Sequence, residues 1–246
     1  MFDDFDAPGL DCTVWLPHYL PAWSSLAGSR ASYLIHDSHL ELSIPPEQGL
    51  WCPGDHQPPL RVSGLQTGNF SGPAGSTAGQ QPFREGLRVR EAQEEFRGCL
   101  LEHGTVGMRA SLYLGTRSMA SLWLVGFEDQ PQRSGEICVM EVFGRDIGEE
   151  EALVGMGFHA FRDPQLTEDF EKVPLPIDVT EPHAYEVSWD GAEATFRVDG
   201  RVVRMLDNPP QYPLQVMLAV FDFPDGSDPA GGGFVPTLSV DRVWAH

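Results

Sequence analysis

Gly135-Glu136-Ile137-Cys138-Val139-Met140-Glu141-Val142-Phe143-Gly144 is an apolar, strand-like run that carries two glutamates five residues apart. In a regular strand, side chains alternate between the two faces, so an odd spacing sends the two carboxylates to opposite sides. One extra residue at Val139–Met140, a β-bulge, would shift that phase by one. Glu136, Cys138 and Glu141 would then share a face, with Ile137 and either Val139 or Met140 turned to the core. The backbone positions of the two glutamates would lie about four strand steps apart, on the order of 13 Å, a gap that two inward-leaning side chains can largely close. Two carboxyl groups about 5–5.5 Å apart suit glycoside hydrolysis, one attacking the anomeric carbon and the other protonating the leaving oxygen. The same spacing also suits a half-exposed strand with two solvated glutamates.

The rest of the chain supplies the sheet into which this run fits. Strand patterns recur at Ser32–Ile44, Thr105–Leu114, Leu122–Val125, Val154–Phe161, Tyr185–Trp189, Ala194–Val198, Val202–Leu206, Leu214–Phe221 and Thr237–Trp244. In Thr105–Leu114 the residues Val106, Met108, Ala110, Leu112 and Leu114 fall on one parity, the mark of a half-buried strand. Asp199-Gly200, between two such runs, predicts a tight hairpin. The strongest helix pattern is short and acidic, Glu149–Val154. Ser63–Phe83, rich in Gly, Ser, Thr and Gln, reads as a long loop of the kind that carries function. Many short strands separated by turns predict an all-β sandwich or barrel. The length of 246 residues fits one such domain, residues 1–246.

Composition narrows the partners. The net charge is −20, and Lys172 is the only lysine. A surface of that sign repels phosphate backbones and anionic membranes, which argues against nucleic acid and membrane partners and leaves neutral or cationic ligands. Cys12, Cys52, Cys99 and Cys138 match neither zinc nor redox spacing, and four cysteines in this length make no disulfide scaffold. The opening MFDDFDAPGLD is acidic and unlike a secretory leader, so the sequence as written predicts a cytoplasmic protein, or a secreted one if a leader has been removed. No cofactor is expected, and the sequence says nothing of oligomeric state.

In order along the chain, these segments resemble the laminarinase-like branch of glycoside hydrolase family 16, in the concanavalin A-like superfamily. The family strand reads GEIDIME, and GEICVME stands at Gly135–Glu141. Ser121-Leu122-Trp123-Leu124 is similar to the family strand before it, and Gly157-Phe158-His159 to the strand after it. His183–Trp189 with Phe196–Gly200, and Ser239–Trp244, resemble the closing strands. Phe2–Phe5 and Asp37–Leu42 resemble the opening ones more weakly. The resemblance implies a jelly-roll sandwich of two antiparallel sheets and a retaining endo-hydrolase of a β-linked, β-glucan-like polysaccharide. It implies Glu136 as nucleophile and Glu141 as acid/base, with Cys138 between them where the family has Asp. Trp123 and Trp189 would stack on sugar rings or fill the core. His159 and Arg109 would hydrogen-bond hydroxyls or simply be solvated. Asp241 matches a position that often serves calcium, though no loop of clustered oxygen ligands accompanies it.

Met217 and Phe221-Asp222 also depart from the family, which has Asn and Gly-Gly there. A thiol at Cys138 offers the nucleophile neither the charge nor the strong hydrogen bond of an aspartate. A slow hydrolase, a non-catalytic glycan-binding module and a sugar-free scaffold are therefore the three readings to separate, in that order.

Overall fold

The computed structural model describes residues 1–224 and 233–246. In chain order the strands are β1 (Phe2–Asp3), β2 (Ser32–His36), β3 (His39–Ser43), β4 (Arg61–Gln66), β5 (Gly68–Asn69) and β6 (Phe96–Arg97). Then come β7 (Leu100–Leu101), β8 (Gly104–Tyr113), β9 (Ser118–Gly126), β10 (Glu136–Phe143), β11 (Ala152–His159) and β12 (Asp169–Leu175). The last are β13 (His183–Trp189), β14 (Glu193–Val198), β15 (Arg201–Asp207), β16 (Leu214–Asp222) and β17 (Thr237–Ala245).

They build two large antiparallel sheets. The first runs β15-β14-β13-β8-β17-β3-β2, with β1 added on β17, and the second runs β12-β11-β10-β9-β16-β4, with β7 on β16. Between them lies the main core. Val106, Met108, Ala110 and Leu112 of β8 share it with Leu122 and Leu124 of β9 and Val216, Leu218 and Val220 of β16. This is the jelly-roll sandwich that the family resemblance implies, and of the two architectures open to the strand pattern it is the sandwich.

Strands β9 and β16 are buried along their whole length, on both faces. That is why their sequences read as unbroken apolar runs, as strands covered on both sides do. The second cover consists of residues before β7. Tyr19, Trp23, Trp51, Leu60, Leu87 and Val89 form a separate apolar cluster with Met119, Trp123, Cys138, Met217 and Phe221 on the outer face of the second sheet.

Three local readings change. Glu149–Val154 is not helical: the Gly148 N–H donates to the Glu151 carbonyl, Ile147 bridges Ala152, and the chain turns straight into β11. Burying Ala152 and Val154 in the sheet outweighs the weak helical pattern of three exposed glutamates. Ser32–Ile44 is a hairpin rather than one strand, turned at Asp37-Ser38 with φ of 48° and 58°. The Ser63–Phe83 stretch begins as strand, since β4 pairs with β16 from Met217–Gln66 to Asp222–Arg61. The Asp199-Gly200 turn is as expected, with φ of 50° and 74°.

The glycine at the β11–β12 crossing is a sensitive point. Gly157 has φ 136°, and a Cβ there would collide with the Asp169 carbonyl and the Arg204 guanidinium. We expect Gly157→Ala to lower stability by roughly 2 kcal/mol or more, combining backbone strain with the clash. A urea midpoint equal to that of the wild type would show that β12 yields instead.

Candidate active site

The two glutamates of β10 reach one face through a bulge. On the β9 side Cys138 pairs with Trp123 and Met140 with Leu122, so Val139 is the extra residue. On the β11 side Cys138 pairs with Gly157 and Glu141 with Gly155. Directly opposite residues of an antiparallel pair point the same way. Glu136 lies opposite Val125, Cys138 opposite Trp123 and Glu141 opposite Ser121, all of one parity on β9. The three therefore share the outer face of the second sheet. Val139 and Met140 are both packed in the core between the sheets, where the sequence reading put only one of them. Gly155 leaves room beside Glu141: a Cβ on it would lie 3.3 Å from that of Glu141 and 2.5 Å from the Phe170 ring.

Burial sets the chemistry of these groups. Glu136 is 3% exposed. Loss of solvent raises its carboxyl to about 7, opposed by His159 and a Gln81 hydrogen bond and reinforced by Glu141. Glu141, half-buried, is also raised, chiefly by burial, against the pull of His159, Lys172 and Arg145. Cys138 is fully buried, and its thiol is pushed well above the usual range by burial and then by Glu141 and Glu136. It stays neutral, and its one hydrogen bond is a long one to the Gly155 carbonyl at 3.6 Å. The Trp123 indole N–H lies beside this thiol without a well-aligned acceptor.

His159 sits directly across from Glu136 on β11. Its Nδ1 is 2.6 Å from Glu168, and its ring stacks on Phe170 with centroids 4.5 Å apart. The other expected ligands are placed differently. Trp189 is core: it is packed between the sheets and donates its indole N–H to the Glu102 carbonyl at 3.1 Å. Trp123 shares the face of the glutamates but is only 8% exposed and packs within the apolar cluster that covers that face. Arg109 is on β8 of the first sheet, away from this face, and pairs with Asp241. One Asp241 oxygen is taken by the Arg109 guanidinium and the other, Oδ1, is buried without a partner; among the described residues no group of three or more His, Cys, Asp or Glu is arranged to hold a metal.

A cleft of about 370 Å³ is lined among others by Tyr19, Trp51, Gln81, Phe83, Glu128 and Phe161; the β10 glutamates do not line it, and Glu136 meets its wall through the Gln81 amide. Phe161 stands 59% exposed at its rim. Glu128, missed in the sequence, is fully enclosed at its side chain and accepts hydrogen bonds from the Gln81 N–H at 2.7 Å and from Arg162. Burial raises its carboxyl to about 7, against the Gln81 N–H and Arg162. Leu20, Gln81, Glu128 and Phe161 hold left-handed φ of 40°, 44°, 57° and 46°. Non-glycine residues in that region store strain, and such strain gathers at functional sites. The sequence signal for this wall is the Ser63–Phe83 stretch, whose end supplies Gln81 and Phe83; Glu128 and Arg162 carried none.

Residues 100–235 match the model of glycosyl hydrolases family 16. None of the curated proteins matches the chain. Among solved structures, it is similar to a GlcNAcα1-4Gal-releasing endo-β-galactosidase from Clostridium perfringens, with a TM-score of 0.83 and 20% identity. That match covers all of this chain and 61% of the other, so this chain spans less than two thirds of that enzyme. It is also similar to the laminarinase of Rhodothermus marinus, with a TM-score of 0.68, 17% identity, and coverage of 100% and 95%. The laminarinase catalytic domain of Thermotoga maritima gives a TM-score of 0.64 and 16% identity, with coverage of 100% and 96%. At these identities the likeness concerns the fold.

Proposed function

This chain belongs to glycosyl hydrolases family 16, and we propose that it is an endo-acting, retaining glycoside hydrolase of a β-linked glycan. The observation that carries this reading is the bulged strand β10, which presents two carboxyls of raised pKa on one face, Glu136 buried and Glu141 half-buried, with an aromatic cleft reached through Gln81.

Glu136 acts as the nucleophile. Its carboxylate attacks the anomeric carbon while the glycosidic C–O bond breaks, and the proton of Glu141 goes to the leaving oxygen. Water then attacks the glycosyl-enzyme, Glu141 takes its proton, and Glu136 departs. The two carboxyls titrate as a pair, and the reaction needs one proton between them. Glu136 is enclosed already and keeps a hydrogen bond from Gln81 that favours its charge. Glu141 is the more open of the two, so a bound sugar desolvates it further and raises it as the acid partner. Phe161 and Phe83 offer flat apolar faces to sugar rings, and His159 a polar edge to hydroxyls. No helix among the described residues is long and apolar enough to cross a membrane. A polysaccharide or oligosaccharide is the partner that the cleft suits.

The names of similar structures set the test panel: a β-1,3-glucan, a mixed β-1,3(4)-glucan and a GlcNAcα1-4Gal-capped glycan. We expect reducing ends to appear from at least one of them, with the β-anomer formed first in proton NMR. An α-anomer formed first would remove Glu136 from the nucleophile role. A glycan that binds tightly and is never cleaved would replace hydrolysis by a binding module, the reading that Cys138 favours.

A further inference from the structure

Cys138 gives the nucleophile no strong hydrogen bond, so the support for Glu136 has to come from elsewhere. The side chain of Glu136 receives one hydrogen bond among the described residues, from the Gln81 amide Nε2 to Oε2 at 2.9 Å. Gln81 is not on the sheet. It belongs to the segment between β5 and β6 that folds over the outer face, 55 residues before Glu136.

The position of Gln81 is over-determined. Its backbone N–H is held by Glu128 at 2.7 Å, and Glu128 is held in turn by Arg162. The Arg162 backbone N–H donates to Ser134 Oγ at 2.9 Å, two residues before Glu136, so the chain of contacts closes on the start of β10. The preceding residue, Gln80, is buried and anchored as well. Its carbonyl accepts the Trp23 indole N–H at 2.6 Å, and its amide donates to the Phe127 carbonyl at 3.0 Å. Gln81 and Glu128 both hold left-handed φ, a conformation that only surrounding contacts can maintain. An amide aimed so firmly at one carboxyl oxygen selects the charged form of that carboxyl, because a donor stabilises the anion.

We propose that Gln81 tunes the ionisation of Glu136, supplying from the overlying segment the hydrogen bond that position 138 does not. It acts beside Glu141 on the same strand as Glu136 and beside His159, which faces Glu136 from β11 and is itself held by Glu168. Glu128 and Arg162 are the positioning residues that aim it. An amide does this without adding a charge. An aspartate at 138 would have placed a further anion between two carboxyls that already repel each other. The neutral thiol and the neutral amide together leave a single proton to be shared by Glu136 and Glu141.

This inference rests on Glu136 being the nucleophile, and its test does not need turnover. The probe is the side-chain carboxyl carbon of Glu136 in protein labelled with 13C at glutamate, assigned by the signal lost in Glu136→Gln and followed by NMR against pH. Two variants are compared with the wild type. Gln81→Asn keeps a residue that tolerates left-handed φ but is one methylene too short to reach. Gln81→Glu keeps the shape and turns the donor into a like charge. The expected order of midpoints is wild type, then Gln81→Asn higher by on the order of one pH unit, then Gln81→Glu higher still. Midpoints unchanged in both variants would overturn the proposal, whatever the activity. If the midpoints move as expected while the wild type cleaves no glycan, the control of Glu136 by Gln81 stands and the hydrolase reading falls. If the protein cleaves glycans, the acid limb of kcat/KM moves with the midpoint. A limb that stays in place while the midpoint moves would show that Glu136 is not the nucleophile.

Discussion

Glu136→Gln is expected to lower kcat on the preferred glycan by about 10⁴-fold or more, the scale seen when a covalent nucleophile is removed from a unit that works together. The substitution is nearly isosteric. Its carbonyl oxygen can still accept the Gln81 amide, so the hydrogen bond at 2.9 Å has a counterpart and the strand keeps its register. What disappears is the electron pair that attacks the anomeric carbon. Initial rates under saturating glycan check this, with binding of the same glycan followed separately so that loss of affinity is not read as loss of chemistry. A variant that keeps more than about one part in a hundred of the rate would move the nucleophile to another carboxyl, since general acid–base help alone is typically worth 10²–10⁴-fold. Glu128 would then be the group to replace, because it is enclosed at its side chain beside the same cleft.

The same substitution should make the protein more stable at pH 8 and leave it unchanged at pH 4.5. Burial lifts the Glu136 carboxyl from an ordinary 4.5 to about 7. Between those values the folded chain holds a proton that the unfolded chain has released, so unfolding free energy falls as pH rises through the window. Below it both states are protonated, and no charge is buried. Above it the full cost of an enclosed anion is present. Each tenfold change in acidity is worth 1.36 kcal/mol, so that cost is on the order of 3 kcal/mol. An amide is free of it. Urea unfolding at the two pH values is the measurement, with Glu136→Gln expected to gain roughly 2–3 kcal/mol over the wild type at pH 8 and nothing at pH 4.5. Equal differences at both values would show that the carboxyl is solvated after all. Glu128, raised to about 7 by burial, and Glu141, raised in the same direction, add to the slope of the wild type. Such a site trades stability for reactivity.

The shared face of the β10 glutamates could be read from sequence because it is local. Two glutamates five apart in an apolar run pose a question of phase, and one bulge answers it. The sandwich was legible for the same reason: the parity of β8 and the turn at Asp199-Gly200 are written within a few residues. The wall of the site was not. Gln81 meets Glu128 across 47 positions and Glu136 across 55, and Arg162 meets Glu128 across 34. No spacing rule spans such distances. Strand β4 was hidden because its middle is Ser63-Gly64, small and polar. It is a strand because β16 needed a partner and because Ser63 Oγ donates to the Ser43 carbonyl at 2.6 Å. Edge strand β12 was missed because it carries Asp169, Glu171, Lys172 and Pro174, the residues that keep an open edge from pairing. Trp189 could not be assigned from its own neighbours, since an indole suits a core and a sugar equally well.

The covering of the second sheet by residues before β7 has a consequence for how such a chain can vary over generations. The two glutamates proposed to break the bond lie on β10, inside the stretch that carries the family's signature, residues 100–235. The Tyr19, Trp51, Gln81 and Phe83 that line the cleft lie wholly upstream of it. Part of the cleft wall is thus inherited on a length of sequence separate from the strand that carries the glutamates, while Glu128, Phe161 and Arg162 of the same wall travel with it. Substitutions upstream can reshape which sugar is admitted while the reactive strand is copied unchanged. A chain trimmed to the signature alone would keep both glutamates, yet lose the roof above them and the amide that tunes one of them.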